Sequence, residues 1–290
     1  MEPGNQSTDI ELSLASAPNL RFLFLHAPGC KIVSPHTLPF LNLREVKVDS
    51  DPIPIPAADV LALLRLSPAV EVVYACVLHT HNRSDSGNDI LNLAHLKDLK
   101  ILEWLESGQE GHVLCPLEEL NSPALERLSF KVAVNGPQDP SFLPTYGPQL
   151  RSLIFRSRPP VTVLKIQWCR IPAADLMYSI PFLPNLVCID IEFIGASDDW
   201  DGVLELLTGP VPPSDENLSG CMCPQLNEIF LGRDNKANPD LVADMICSRS
   251  PVGCSKLLPH PKIKDCIVGG MQYLSGGRGG DWGYPDSNDL

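Results

Sequence analysis

The sequence has no apolar run approaching the ~20 residues needed to span a bilayer, and its first ten residues are acidic and polar. Neither a spanning helix nor a secretory leader is therefore predicted. It also lacks the motifs that announce chemistry. There is no activated-nucleophile motif, no phosphate-binding glycine loop before a helix and no His-Glu-x-x-His, so catalysis is not expected. A basic surplus is absent too. The net charge of −13 argues against nonspecific binding to nucleic acid or to anionic membrane. The ten cysteines show no framework spacing, which predicts reduced thiols in a cytoplasmic or nuclear protein. Cys221, Cys223, Cys247, Cys254, His260 and Cys266 do not repeat at the spacing of a zinc site. The acidic run Asp198-Asp199-Trp200-Asp201 lacks the glycine and distal glutamate of a calcium loop. No metal or cofactor is expected.

Aromatics are sparse, at 6%, but the 29 prolines suit many short strands closed by turns better than a helical bundle. A short phrase recurs, Pro-x-Leu-x-x-Leu-x-apolar. Its copies include Pro18-Asn19-Leu20-Arg21-Phe22-Leu23-Phe24-Leu25, Pro123-Ala124-Leu125-Glu126-Arg127-Leu128-Ser129-Phe130 and Pro148-Gln149-Leu150-Arg151-Ser152-Leu153-Ile154-Phe155. Pro184-Asn185-Leu186-Val187-Cys188-Ile189-Asp190-Ile191 and Pro224-Gln225-Leu226-Asn227-Glu228-Ile229-Phe230-Leu231 follow. Taking Leu20, Leu43, Val70, Leu99, Leu125, Leu150, Val161, Leu186 and Leu226 as first positions gives steps of 23, 27, 29, 26, 25, 11, 25 and 40. Most match the 20–29 residues of a leucine-rich repeat. The step of 11 has no room for strand, helix and return. It predicts two strand-like pieces joined by an extended Ser157-Arg158-Pro159-Pro160 link, unless Leu150 or Val161 is misread. The step of 40 contains an insertion, near 208–223.

A second internal match supports the repeat. Ile55-Pro56-Ala57-Ala58-Asp59-Val60 recurs as Ile171-Pro172-Ala173-Ala174-Asp175-Leu176. Proline in a first turn with aspartate nearby suits a helix start. Further helices are expected at 203–207, and at 241–246 behind Asn238-Pro239-Asp240. Residues 10–17 read as the last helical turn before a repeat strand. The fold class expected is α/β, a leucine-rich-repeat-like right-handed β/α solenoid with a curved, mostly parallel sheet. It occupies 10–250, and 251–290 form a poorly ordered Gly/Pro-rich tail. One strand and one helix cannot enclose their own leucines, so such units gain stability by stacking.

The Pro-Asn-Leu, Pro-Ala-Leu and Pro-Gln-Leu strand openings, long Pro-rich returns and scattered cysteines resemble the leucine-rich-repeat part of fungal F-box proteins. The resemblance covers residues 10–247. It implies a ribonuclease-inhibitor-like fold and the substrate-binding half of a ubiquitin-ligase receptor. The Leu-Pro-x-Glu helix of an F-box is not in this chain, so a Skp-type adaptor is implied only if an F-box lies outside it. The alternatives are a scaffold or regulatory repeat protein unrelated to ubiquitin, and a small-molecule-responsive receptor.

Strand alternation sends the third, fifth and seventh phrase positions to the open sheet face. Phe22, Phe24 and Tyr74 form an aromatic zone there, unless a neighbouring loop covers the two phenylalanines. Residues 121–170 carry 7 basic and 2 acidic side chains, net +5, between segments of net −8 and −10. Arg127, Lys131, Arg156 and Lys165 are expected to line up as a positive stripe, which either recognises an acidic or phosphorylated protein segment or is merely solvated charge. Aromatics and arginine are the residues that dominate interface energetics.

Overall fold

The structure is a computed structural model, and it describes residues 10–13, 19–26, 30–33, 39–49, 54–78, 90–105, 116–134, 145–192, 200–208, 222–232, 238–249, 265–268 and 271–273. The chain is α/β, with mostly parallel strands, and divides into two compact units, Met1–Phe142 and Leu143–Leu290.

In the first unit the elements are β1 (Ile10–Ser13), β2 (Phe22–Leu25), β3 (Cys30–Val33), β4 (Glu45–Val48), β5 (Ile55–Pro56) and α1 (Ala57–Arg65). β6 (Val72–Leu78), β7 (Leu91–Asn92), β8 (Asp98–Leu105), β9 (Leu120–Asn121) and β10 (Arg127–Val134) follow. β2, β4, β6, β8 and β10 pair in that order, all parallel. The short strands make side pairs, β1 with β3, β5 with β6 and β7 with β9. In the second unit, α2 (Gly147–Ser157) precedes β11 (Val163–Gln167), α3 (Ala173–Ser179), β12 (Cys188–Ile191) and α4 (Trp200–Thr208). β13 (Glu228–Leu231), α5 (Pro239–Ser248), β14 (Asp265–Val268) and β15 (Met271–Tyr273) complete it. β11 to β14 pair in chain order and parallel, and β15 returns antiparallel along β14.

The phrase has a backbone counterpart. The N–H of Leu43, Val70, Leu96, Leu125, Leu186 and Leu226 donates to the carbonyl three residues earlier. The next two N–H groups then share one carbonyl of the preceding strand. Arg44 and Glu45 donate to Arg21 O at 2.8 and 3.1 Å, and Glu126 and Arg127 to Lys97 O at 2.8 and 2.9 Å. Each turn thus seats its leucine and starts the next ladder. From Leu43 on, the first, fourth and sixth phrase residues are buried, Leu125, Leu128 and Phe130 in one copy and Leu186, Ile189 and Ile191 in another. The duplicated Ile-Pro-Ala-Ala-Asp segments start α1 and α3 alike, with Pro56 at φ −54°, ψ 132° and Pro172 at φ −56°, ψ 137°. At α5, the Asn238 side chain accepts from Asp240 N at 3.0 Å, as its cap motif predicts.

Four expectations need correction. The phrase register at β8 begins at Leu96, which makes the turn bond, and Leu99 is its fourth residue. Leu150 opens no strand, because 147–157 is helical. As a helix the segment buries Leu150, Leu153, Ile154 and Ser157 on one face; as a strand it would bury Phe155, which is 60% exposed. The step from Leu125 to Val161 is therefore 36 residues, room enough for a helix. Residues 10–13 form a strand and not a helical turn. The sheet also runs past residue 250, through β14 and β15. Asp198 and Asp199, most of the 208–223 insertion and the segment from 275 lie outside the described residues.

Candidate binding face

In-register pairing fixes rows of side chains on the open face of the first unit. One row runs Phe22, Glu45, Val72, Asp98, Arg127 and the next Phe24, Lys47, Tyr74, Lys100, Ser129. In the second row aromatic and ammonium groups alternate. Lys47 Nζ lies 5.2 Å from the Phe24 ring centroid and Lys100 Nζ 4.8 Å from that of Tyr74. Such stacking restrains long lysine side chains that would otherwise lose entropy on binding. Phe22 and Phe24 are 63% and 65% exposed, so no described loop covers them. Tyr74 is half-buried, and its phenol pKa is pushed up by burial and then by the Asp49 and Cys76 charges.

The basic residues divide. Arg127 Nε bonds Asp98 Oδ2 at 2.9 Å, Lys47 pairs with Glu45, and Lys97 Nζ bonds Glu71 Oε2 at 3.0 Å. The Lys97 ammonium holds the Glu71 carboxyl below its usual range. Lys100 and Lys131 have no ion pair among the described residues. The positive potential of this face therefore centres on those two lysines, on adjacent strands β8 and β10. Lys100 escapes a reading of the sequence that starts the repeat at Leu99. The Leu96-x-x-Leu99-x-Ile101 spacing carries the correct phase without a proline.

In the second unit, Lys165 projects from β11 with Nζ 3.9 Å from Asp190 Oδ2, and Gln167 Nε2 donates to the same oxygen at 3.2 Å. Burial nonetheless raises the Asp190 pKa, and Lys165 and Gln167 only offset that. Arg156 is not on the sheet. It lies in the last turn of α2, where NH1 bonds Ser152 Oγ at 3.3 Å. The expected stripe thus loses one member to the helix side, and Arg127 and Lys165 have acidic neighbours.

Among the described residues no group of three or more His, Cys, Asp or Glu could hold a metal, and no helix is long and apolar enough to cross a membrane. The described cysteines Cys76, Cys169, Cys188, Cys223, Cys247 and Cys266 are free thiols. The chain matches no family model, no curated protein and no solved structure.

Proposed function

We propose that the chain is a non-enzymatic protein-recognition module of leucine-rich-repeat type, a right-handed β/α solenoid working in the cytoplasm or nucleus. Its site is the open sheet face of the first unit. Phe22, Phe24 and Tyr74 anchor apolar side chains of an extended protein segment, and Lys100 and Lys131 hold its acidic or phosphorylated residues. The supporting observation is the in-register row Phe24, Lys47, Tyr74, Lys100, with Phe24 and the adjacent Phe22 each more than 60% exposed. Solvent-exposed aromatics next to unpaired cations are costly to leave idle and favourable to cover. Arg127 contributes less, because it already faces the Asp98 carboxylate.

Selecting a displayed random-peptide library on the full chain tests this reading. Acidic residues beside apolar ones should be enriched. Phe22→Ser with Phe24→Ser, or Lys100→Glu with Lys131→Glu, should each weaken the selected peptide at least tenfold. Binding that survives both pairs of changes would overturn the site. The more specific proposal is that the module selects substrates for an F-box-type ubiquitin ligase. Co-purification of the gene's full product with a Skp-type adaptor and a cullin supports it, and their absence favours a scaffold.

A further inference from the structure

The outer helices of the second unit carry a surface that the sheet-face reading leaves unused. Phe155 on α2 meets Phe182 edge-on, with ring centroids 5.8 Å apart and planes at 85°. Tyr178 on α3 is 64% exposed and lies 5.7 Å beneath the Arg151 guanidinium. Arg151 NH1 is itself held by the buried carboxylate Asp175 Oδ1 at 3.1 Å. The rings are therefore fixed in place, and Phe155, Met177, Tyr178 and Phe182 are all exposed. Rigid aromatic side chains lose little entropy when covered.

Charge is polarised around this patch. α2 packs on α3, α3 on α4 and α4 on α5. α2 contains Arg151 and Arg156, with Arg158 just past its end, and no acidic residue. α4 contains Asp201 and Glu205, α5 contains Asp240 and Asp244, and neither contains a basic one. The layer thus reads basic, aromatic, acidic across its width. Such a layer is complementary to itself. A twofold axis lying across the helices would set α2 on α2 and α4 on α4, like charge on like. A twofold along α3 sets α2 of one copy on α4 of the other, with the aromatic groups facing at the centre.

We propose that this helix face is the interface of a symmetric homodimer, with its twofold along α3 and Arg158 of each copy facing the Glu205 end of the other's α4. Its charged contacts lie between exposed side chains, which salt screens, so the dimer should be reversible and salt-sensitive.

Sedimentation velocity of the full chain over a range of concentrations tests this. The wild-type mass should climb from 31.7 kDa toward twice that value, and salt should shift it back. Tyr178→Glu, at an exposed site, should stay monomeric with an unchanged helical signal and melting curve. Arg158→Asp and Glu205→Lys should each weaken the dimer at least tenfold; aspartate is chosen because position 158 has φ 43°. Combining both changes in one chain, or mixing the two single variants, should restore it. A wild type monomeric throughout, a dimer indifferent to Tyr178→Glu, or a failure of the charge swap to restore association would each overturn the proposal.

Discussion

At residue scale, the second unit is tied by one buried arginine. Arg249 Nε donates to Leu207 O at 2.9 Å, NH1 to Cys223 O at 3.0 Å and NH2 to Met222 O at 2.7 Å. It thereby joins the ends of α4 and α5 to the turn that opens β13. Cys223 in that turn has φ 48°, a left-handed backbone that a branched residue would resist, and its thiol reaches Leu183 O at 3.3 Å. Arg249→Met removes these three bonds to buried or part-buried carbonyls at once. It should cost about 3 kcal/mol or more, read from urea unfolding. A loss below about 1 kcal/mol would mean that water replaces the guanidinium. The thiols give a second outcome at this scale. Burial pushes Cys188 up to about 12, with Glu228 adding to it, and pushes Cys266 up to about 12 as well. Iodoacetamide at mildly alkaline pH should therefore label the exposed Cys247 ahead of Cys188 and Cys266, which should react only on unfolding. Peptide mass spectrometry reads the order. Asp190 gives a pH signature. Its folded pKa lies above the ordinary 3.8, so its contribution is full below that value and is lost as pH rises through the folded pKa. Asp190→Asn should raise the melting temperature at neutral pH, and the gap should close in acid.

At element scale, α2 shows where the sequence is ambiguous. Pro148-Gln149-Leu150 spells the same phrase as the true strand openings, but Leu150, Leu153 and Ile154 also fall on one helical face. The last two positions separate the readings. Ile154→Ala should cost about 2–5 kcal/mol as a core truncation. Phe155→Ala should cost about 0.5 kcal/mol or less as a surface change. The reverse order would restore the strand. The same logic explains what else was legible. The alternation of β4, β6, β12 and β13 and the proline entries of α1 and α3 depend on neighbours within a few residues, and the sequence displays those. The start of β8 is hard to phase because no proline marks it, and β14 because its copy, Pro261-Lys262-Ile263-Lys264-Asp265-Cys266-Ile267-Val268, has Ile and Cys where the phrase has Leu. Lys100 reaches the open face only in the phase that starts at Leu96. Phe155, Tyr178 and Phe182 leave no pattern in the sequence, because they share a surface only once α2 packs on α3.

At the scale of the whole molecule, the division after Phe142 follows no composition shift, yet both units carry negative charge. Residues 1–142 hold 10 basic and 18 acidic groups, net −8, and residues 143–290 hold 12 and 17, net −5. Ion pairs such as Arg65–Glu119 at 2.6 Å and Arg44–Glu71 at 3.3 Å are at least partly exposed and contribute little each. Self-repulsion should outweigh them. Raising salt from about 0.01 M to about 0.1 M shortens the Debye length from ~30 Å to ~10 Å, and the melting temperature should rise over that range. The recognition proposed for Lys100 and Lys131 has the opposite sign, because screening weakens attraction between those lysines and an acidic segment. Fold stability and peptide affinity should therefore diverge as salt increases. Measuring both on one preparation separates specific binding from damage to the fold, since a peptide lost through unfolding would fall away in low salt. If the melting temperature drops with salt, the exposed ion pairs dominate the net charge. If affinity rises with salt, the contact is apolar, and Phe22 and Phe24 hold the partner without the lysines.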